Sequence, residues 1–234
     1  MISIIIPVYN NCDNLEKCLT SLAKQTFKDF EVIVVDDGSP EPVGSGIPNS
    51  QFPISNLRFF RINHGGAPKA RNYGFSQSKG DLILFCDADM ELRKDCLEKM
   101  KAALDNNPDK SYVYSDFKYG WKTFRFWPFD AGKLKENNYV NTCSLLRRGD
   151  FLGFDESLEK FQDWDLWLTL LDAGKGGVYI PEVLSKASTR GGKISNWWPK
   201  FIYRVPFLKF KSLERYRKWK EIVKKKHGIK STNQ

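Results

Sequence analysis

The stretch that most constrains this chain is Leu82 to Met90, which reads Leu-Ile-Leu-Phe-Cys-Asp-Ala-Asp-Met. Four apolar residues in succession after Gly80-Asp81 read as a strand buried on both faces, the pattern of a central strand in a parallel sheet. Two carboxylates at i and i+2, Asp87 and Asp89, then end the run. In open α/β sheets the ligand crevice lies outside the carboxyl ends of the strands, so this pair is expected to face it. A neutral ligand gives no reason for two carboxylates there, whereas a divalent cation does. Oxygen ligands suit Mg²⁺ or Mn²⁺, and Mg²⁺ is commonly held by one or two carboxylates plus substrate phosphates. Taken alone, Asp87-Ala88-Asp89 also reads as an ordinary polar turn and helix cap.

The segments before it fit the same design. Ser3 to Val8 is a β-branched strand that stops at Pro7-Val8-Tyr9-Asn10. Asp13 with Glu16 predicts a capping box for a helix whose Leu15, Cys18, Leu19 and Leu22 form one apolar stripe. Phe30 to Val35 predicts a second strand, ending in Asp36-Asp37-Gly38-Ser39. Residues 40–56, rich in Pro, Gly and Ser, predict a surface loop, and Leu57 to Ile62 a third strand. Pro68 suits the first turn of a helix to about Ser78, and another helix is expected from about Lys94 to Asn106. Strands alternating with helices predict a doubly wound, mainly parallel sheet. Right-handed crossovers then gather 7–10, 36–39 and 87–89 on one edge. No G-x-G-x-x-G follows the first strand and no G-x-x-x-x-G-K-[ST] occurs, so two common nucleotide-binding designs are excluded.

The second half is more aromatic. Tyr112 to Trp127 predicts a hairpin, Val140 to Arg147 a strand, and Phe154 to Leu158 a turn. Asp163 to Ala173 predicts a helix with Trp164, Trp167, Leu168 and Leu171 on one face, a spacing that favours core over a sugar platform. Val178 to Ile180 reads as a short strand closed by Pro181. The cysteines, at 12, 18, 86, 96 and 143, are odd in number with no C-x-x-C pair, which argues for reduced thiols and a cytosolic setting rather than a disulfide framework or zinc site. Met1 to Pro7 lacks a basic n-region, so no signal peptide is expected.

Taken together, six motifs in order resemble the inverting glycosyltransferases of family 2, which have the GT-A fold. They are Ser3-Ile4-Ile5-Ile6-Pro7-Val8-Tyr9-Asn10, Val34-Val35-Asp36-Asp37-Gly38-Ser39, Ala70-Arg71-Asn72-Tyr73-Gly74, Asp87-Ala88-Asp89, Gly153-Phe154-Asp155-Glu156-Ser157-Leu158 and Asp163-Trp164-Asp165-Leu166-Trp167. The resemblance covers roughly residues 1–185. It implies an α/β, Rossmann-like mixed sheet flanked by helices over residues 1–189, with a nucleotide-sugar half (1–109) and an acceptor half (110–189). Pro7, Tyr9 and Asp37 match positions that hold the nucleotide base, Asp37 accepting a hydrogen bond from it. Arg71 matches a basic residue near the diphosphate. Asp87 resembles the ribose-side member of the D-x-D motif, Asp89 the direct metal ligand, and Asp163 the general base. The expected activity is metal-dependent (Mn²⁺ or Mg²⁺) inverting transfer from a nucleotide-diphospho-sugar to a hydroxyl of a glycan or lipid-linked glycan.

The residue types suit that chemistry. A nucleotide diphosphate leaves readily only when its charge is neutralised, by a cation and by a bidentate Arg71. The acceptor hydroxyl must lose its proton as it attacks, which calls for a positioned carboxylate. Asp163 also reads as a helix N-cap, with Asp165 the runner-up for base. The family often shows Glu-Asp where this chain has Gln162-Asp163. His64 is read as a solvated or capping residue and His227 is given no role. Neither supplies a later metal-binding His, so metal retention would rest on Asp89, phosphates and water.

From residue 190 onward the chain holds 14 Lys and Arg against 2 Glu, so this part carries +12 and the first 189 residues −3 of the net +9. Asn196 to Phe210 interleaves aromatics with single positive charges, and Leu213 to Ile229 sets Tyr216, Trp219, Ile222 and Val223 at helical spacing. Residues 190–234 are therefore expected to form a basic amphipathic extension. The favoured reading lays it on an anionic membrane, peripheral on the cytoplasmic face. The alternatives pack it on its own domain or a second subunit, or on nucleic acid, which is disfavoured because the acidic first 189 residues continue no groove. Two other functions stay open at this point: a nucleotide-sugar or glycan-binding module without turnover, and a basic-tailed nucleic-acid-binding protein.

Overall fold

A computed structural model describes residues 1–43, 52–188 and 211–230. One mixed sheet organises them, in the order β3-β2-β1-β4-β8-β6-β9-β5, with β7 paired to β6. The strands are β1 (Ile2–Val8), β2 (Phe30–Asp36), β3 (Leu57–Arg61), β4 (Leu82–Phe85), β5 (Met90–Leu92), β6 (Tyr112–Tyr119), β7 (Lys122–Phe124), β8 (Leu145–Arg147) and β9 (Gly177–Ala187). The helices are α1 (Cys12–Ala23), α2 (Ala67–Gln77), α3 (Cys96–Asp105), α4 (Ala131–Glu136), α5 (Gln162–Asp172) and α6 (Lys211–Lys226). β1 to β4 are mutually parallel, so the segments after β1, β2 and β4 emerge on one edge, as expected. β8 runs antiparallel to β4 and begins the second half.

Burial follows the apolar pattern. β1 and β2 are buried along their whole length, and so is Leu82–Phe85. Leu15, Cys18, Leu19 and Leu22 of α1 close one face of the sheet, while Trp164, Trp167 and Leu168 of α5 close the other. Both indoles are spent on core: Trp164 Nε1 donates to the Leu134 carbonyl at 2.7 Å and Trp167 Nε1 to that of Val140 at 2.9 Å. All five cysteines are free thiols.

Four local expectations are corrected. No capping box forms at α1: the helix starts at Cys12 after Asn11, whose side chain caps no backbone N–H. The strand expected over 140–147 shrinks to Leu145–Arg147, because residues 137–144 loop away to meet α5. Pro181 does not close a strand but lies inside β9. The register with β6 jumps from Ser115↔Ile180 to Asp116↔Val183, and this bulge absorbs a residue with no N–H to pair.

The fourth concerns α6. The face offered to a membrane is turned inward: Leu213 and Val223 are buried, and Trp219 and Ile222 pack against the cluster containing Trp164 and Trp167. Apolar area on this helix is removed from water by its own domain, so the interfacial-helix reading loses its aromatic face. Residues 189–210, including the aromatic-basic run from Asn196 to Phe210, and residues 231–234 lie outside the described residues. No described helix is long and apolar enough to cross a membrane.

Candidate active site

Three loops are stitched together at the parallel edge. Asp36 and Asp37 are both buried and act first as caps. Asp36 accepts from the N–H groups of Ser39 (2.9 Å) and Val43 (3.1 Å). Asp37 accepts from Gly65 and Gly66, both at 2.8 Å, and its second oxygen also lies 2.9 Å from His64 Nδ1. Gly38 makes this approach feasible, having φ +73 and standing where a Cβ would lie 2.7 Å from the His64 nitrogen. Asp37 can still accept from a nucleotide base through its remaining lone pairs, but its standing partners belong to the 64–66 loop. Tyr9 is 49% exposed and its ring lies 4.4 Å from that of His64, an open two-ring edge beside Asp37. Pro7 is buried inside β1 opposite Val35, so what β1 presents to the cleft is Tyr9.

Arg71 reaches the cleft because α2 lies directly on the sheet. Gly74 allows it: a Cβ there would stand 2.4 Å from Ile5 Cγ2. The guanidinium donates to Asp87 Oδ1 at 2.6 Å and stacks on Phe154 at 5.2 Å, and its buried Nε has no partner among the described residues. With one terminal nitrogen committed to Asp87, the expected bidentate grip on a diphosphate is not standing ready. The unpaired Nε–H is the donor that an anionic ligand would satisfy. Asn72, next in the motif, clamps the turn carrying Phe154, accepting from its N–H at 2.8 Å and donating to its carbonyl at 2.9 Å.

Asp89 follows Asp87 at the end of β4. Burial, and then the charge of Asp87, push its carboxyl up to about 6. That is the state of a carboxylate left without a counter-ion beside a second one. A divalent cation would reverse both effects, so Asp87 and Asp89 fit a metal. No group of three or more His, Cys, Asp and Glu that could hold a metal occurs among the described residues, so a cation there would draw its other ligands from phosphate and water.

Asp163 enters from α5. It is not the N-cap: that position is Phe161, in the left-handed region at φ 64, with its ring 5.8 Å from Trp164 and 4.8 Å from Tyr216 of α6. Asp163 sits in the first turn and accepts from Asn138 Nδ2 at 2.9 Å and from the Trp164 N–H at 2.9 Å. Its carboxyl is raised, chiefly by desolvation. Asn138, the Trp164 N–H and the charge of Arg71 pull the other way, while Asp87 adds to the rise. Arg71 and Asp87 thus act electrostatically on Asp163.

Two residues on, about 200° round the helix, Asp165 faces away. It is 2% exposed and bonded to Lys226 at 2.9 Å and His227 at 2.9 Å. The runner-up for base is therefore a structural anchor for α6. The sequence reading missed this anchor and also Asn138, neither of which any local pattern announces.

A mixed sheet of this kind, flanked by helices, is the GT-A fold. Its likeness to solved structures supports that: S. aureus TarS 1-349 in complex with UDP-GlcNAc has a TM-score of 0.72 at 21% identity, over 99% of this chain and 74% of that one. The mannosyltransferase PcManGT of Pyrobaculum calidifontis, in complex with GDP-Man and Mn²⁺, has 0.63 at 18% identity, over 82% and 57%. Residues 3–159 match the family model described as glycosyl transferase family 2, and the chain belongs to that family. Among curated relatives, an uncharacterized glycosyltransferase of Haemophilus influenzae is 38% identical over 185 residues, 73% of this chain and 62% of its own length. GlyG of Streptococcus pneumoniae is 27% identical over 57% of this chain and 44% of its own length. The chain thus spans less than two thirds of either relative.

Proposed function

We propose that the chain transfers a sugar from a nucleotide-diphospho-sugar to an acceptor hydroxyl, in one displacement that inverts the anomeric carbon. The observation that carries this reading is the cleft itself: Asp163 on the acceptor side, within electrostatic reach of the Arg71–Asp87 pair on the donor side. Tyr9, His64 and Asp37 form the edge against which the base lies, and Arg71 offers its unpaired Nε–H to a diphosphate oxygen. Asp163 takes the acceptor proton as the acceptor oxygen bonds to the anomeric carbon. The bond from that carbon to the diphosphate oxygen breaks, and its electron pair leaves with the nucleotide diphosphate. Asp87 and Asp89 would hold a divalent cation, which when bound supplies Lewis-acid neutralisation of the leaving diphosphate. The acceptor is a glycan or lipid-linked glycan hydroxyl.

The test is transfer and donor hydrolysis with UDP-, GDP- and dTDP-sugars, with and without EDTA. Turnover abolished by EDTA and restored by Mn²⁺ is expected. Donor binding with no turnover under any condition would instead mark a binding module.

Two further outcomes follow. Because Asp89 takes up a proton near pH 6, Mn²⁺-dependent donor binding should weaken by roughly tenfold per pH unit below about 6, one proton competing with one cation. Calorimetric titration of donor plus Mn²⁺ between pH 7.5 and 5 measures it. Asn138→Ala removes a donor that favours the ionised form of Asp163. The acid limb of the kcat–pH profile is therefore expected to move to higher pH, a change that mere loosening of the loop would not produce.

A further inference from the structure

On the far side of the sheet, β6, β9 and β5 lie side by side, and their register places like charges together. Lys118 of β6 pairs with Lys186 of β9, and Lys186 in turn with Glu91 of β5. Register partners share a face of the sheet. Met90 and Leu92 are buried on the other face, so this row looks outward. Like charges directly opposite one another destabilise a sheet. Glu91 neutralises only one of the two lysines, bonding to Lys186 at 3.0 Å. Lys118 has no carboxylate partner among the described residues, and neither has Lys17, which faces the row from α1.

These side chains line an open surface cavity of about 300 Å³, nearer a shallow depression than an enclosed pocket, in which three lysines meet one glutamate. It touches none of Tyr9, Asp37, Arg71 or Asp163, so it is separate from the donor cleft. It does reach Ser188, whose N–H donates to the carbonyl of Asp89 at 2.8 Å. The cationic cavity therefore flanks the turn that carries the cleft's carboxylates. Gly120 also lines it, and the next residue, Trp121 at the tip of the β6–β7 hairpin, is 94% exposed. An uncovered indole beside an excess of ammonium groups offers a flat apolar surface to a sugar ring and a charge to an attached anion. A local rule broken with only partial internal compensation is expected at a functional site.

We propose that this cavity binds a phosphate-type oxyanion carried by the acceptor, which makes the acceptor a phosphate-bearing glycan. The word acceptor rests on the glycosyltransferase reading above; the anion site does not.

The test uses the full chain and compares, by isothermal titration at low salt, a phosphorylated oligosaccharide, the same oligosaccharide dephosphorylated, and inorganic phosphate. Lys118→Glu reverses charge inside the cavity, and Lys79→Glu makes the same change on an exposed lysine in the loop between α2 and β4. The phosphorylated oligosaccharide should bind best, and Lys118→Glu should weaken it by about tenfold or more, the size of a lost charge-assisted bond. Lys79→Glu should leave binding unchanged. Inorganic phosphate binding as well as the phosphorylated sugar would overturn the acceptor assignment and leave a free-anion site. Binding equal for all three probes, or indifferent to Lys118→Glu, would overturn the site itself. Absence of donor turnover while Lys118-dependent binding persists would count against the enzymatic reading alone.

Discussion

Asp163→Asn is expected to lower kcat by about 10²–10⁴-fold, the range that a general base contributes, while the Kd for donor plus Mn²⁺ stays within about twofold. The asymmetry follows from what each atom does. Asn keeps the shape of the side chain: its oxygen can still accept from the Trp164 N–H, and its NH2 can donate to the Asn138 oxygen once that amide turns over, so the first turn of α5 keeps its place. What it loses is the ability to take a proton. None of the groups assigned to the donor, Tyr9, Asp37, Arg71, Asp87 and Asp89, is altered. Unchanged kcat would remove Asp163 from the mechanism, and because Asp165 is sealed against α6 the base would then have to come from outside α5. Weakened donor binding would mean that the Arg71–Asp87 pair depends on the charge of Asp163.

The same substitution two residues on should give the reverse. Asp165→Asn leaves the cleft alone and weakens a buried ionic junction: Lys226 keeps Asp155 and His227 keeps Asp172, but both lose the carboxylate they share. Removing one partner of such a junction costs about 3–5 kcal/mol. Lys226 remains 40% exposed and both cations keep a second carboxylate, so the lower end is the upper bound here. For a chain of this size that is a fall in Tm of at most about 6–12 °C. The junction is also pH-sensitive. Burial works against protonation of His227, but its bonds to Asp165 and Asp172 outweigh it and raise the pKa above the ordinary value of 6.5. A raised folded-state pKa means that the stabilisation is fully present below about pH 6.5 and is lost as pH rises through the folded value. The Tm difference between the native chain and Asp165→Asn should therefore shrink as pH is taken from 6 to 9. A constant difference would show that Lys226 alone carries the junction.

The contrast between these two aspartates marks what was legible beforehand. Leu82–Phe85, Ile2–Val8 and Phe30–Asp36 announce themselves as buried strands, because a central strand must be apolar on both faces and no helix of that length competes. Pairs such as Asp36-Asp37 and Asp87-Asp89 are readable because carboxylates at the end of such a run mark where the apolar strand stops. What could not be read depends on partners far along the chain. β5 has three residues and exists only because Ala187 and Ser185 pair with it. β9 continues through Pro181 because a bulge against β6 tolerates the missing N–H, and a local rule for proline cannot see a bulge. His227 stands in a lysine-rich run, yet its meaning lies in Asp165 and Asp172. Asn138 is an exposed loop amide until α5 is folded beside it. Even Asp37, expected to accept a hydrogen bond from a nucleotide base, binds its own backbone loop first.

Phe161 bears on how the reaction centre keeps its alignment. A bulky residue in the left-handed region is unfavourable, and here it launches the helix that carries Asp163, with its ring wedged between Trp164 and Tyr216. The last described helix therefore works as a splint, bracing the first turn of the helix that carries Asp163. Trimming the chain before residue 211 should leave the donor half intact and blunt turnover all the same, through a carboxylate free to swing out of line.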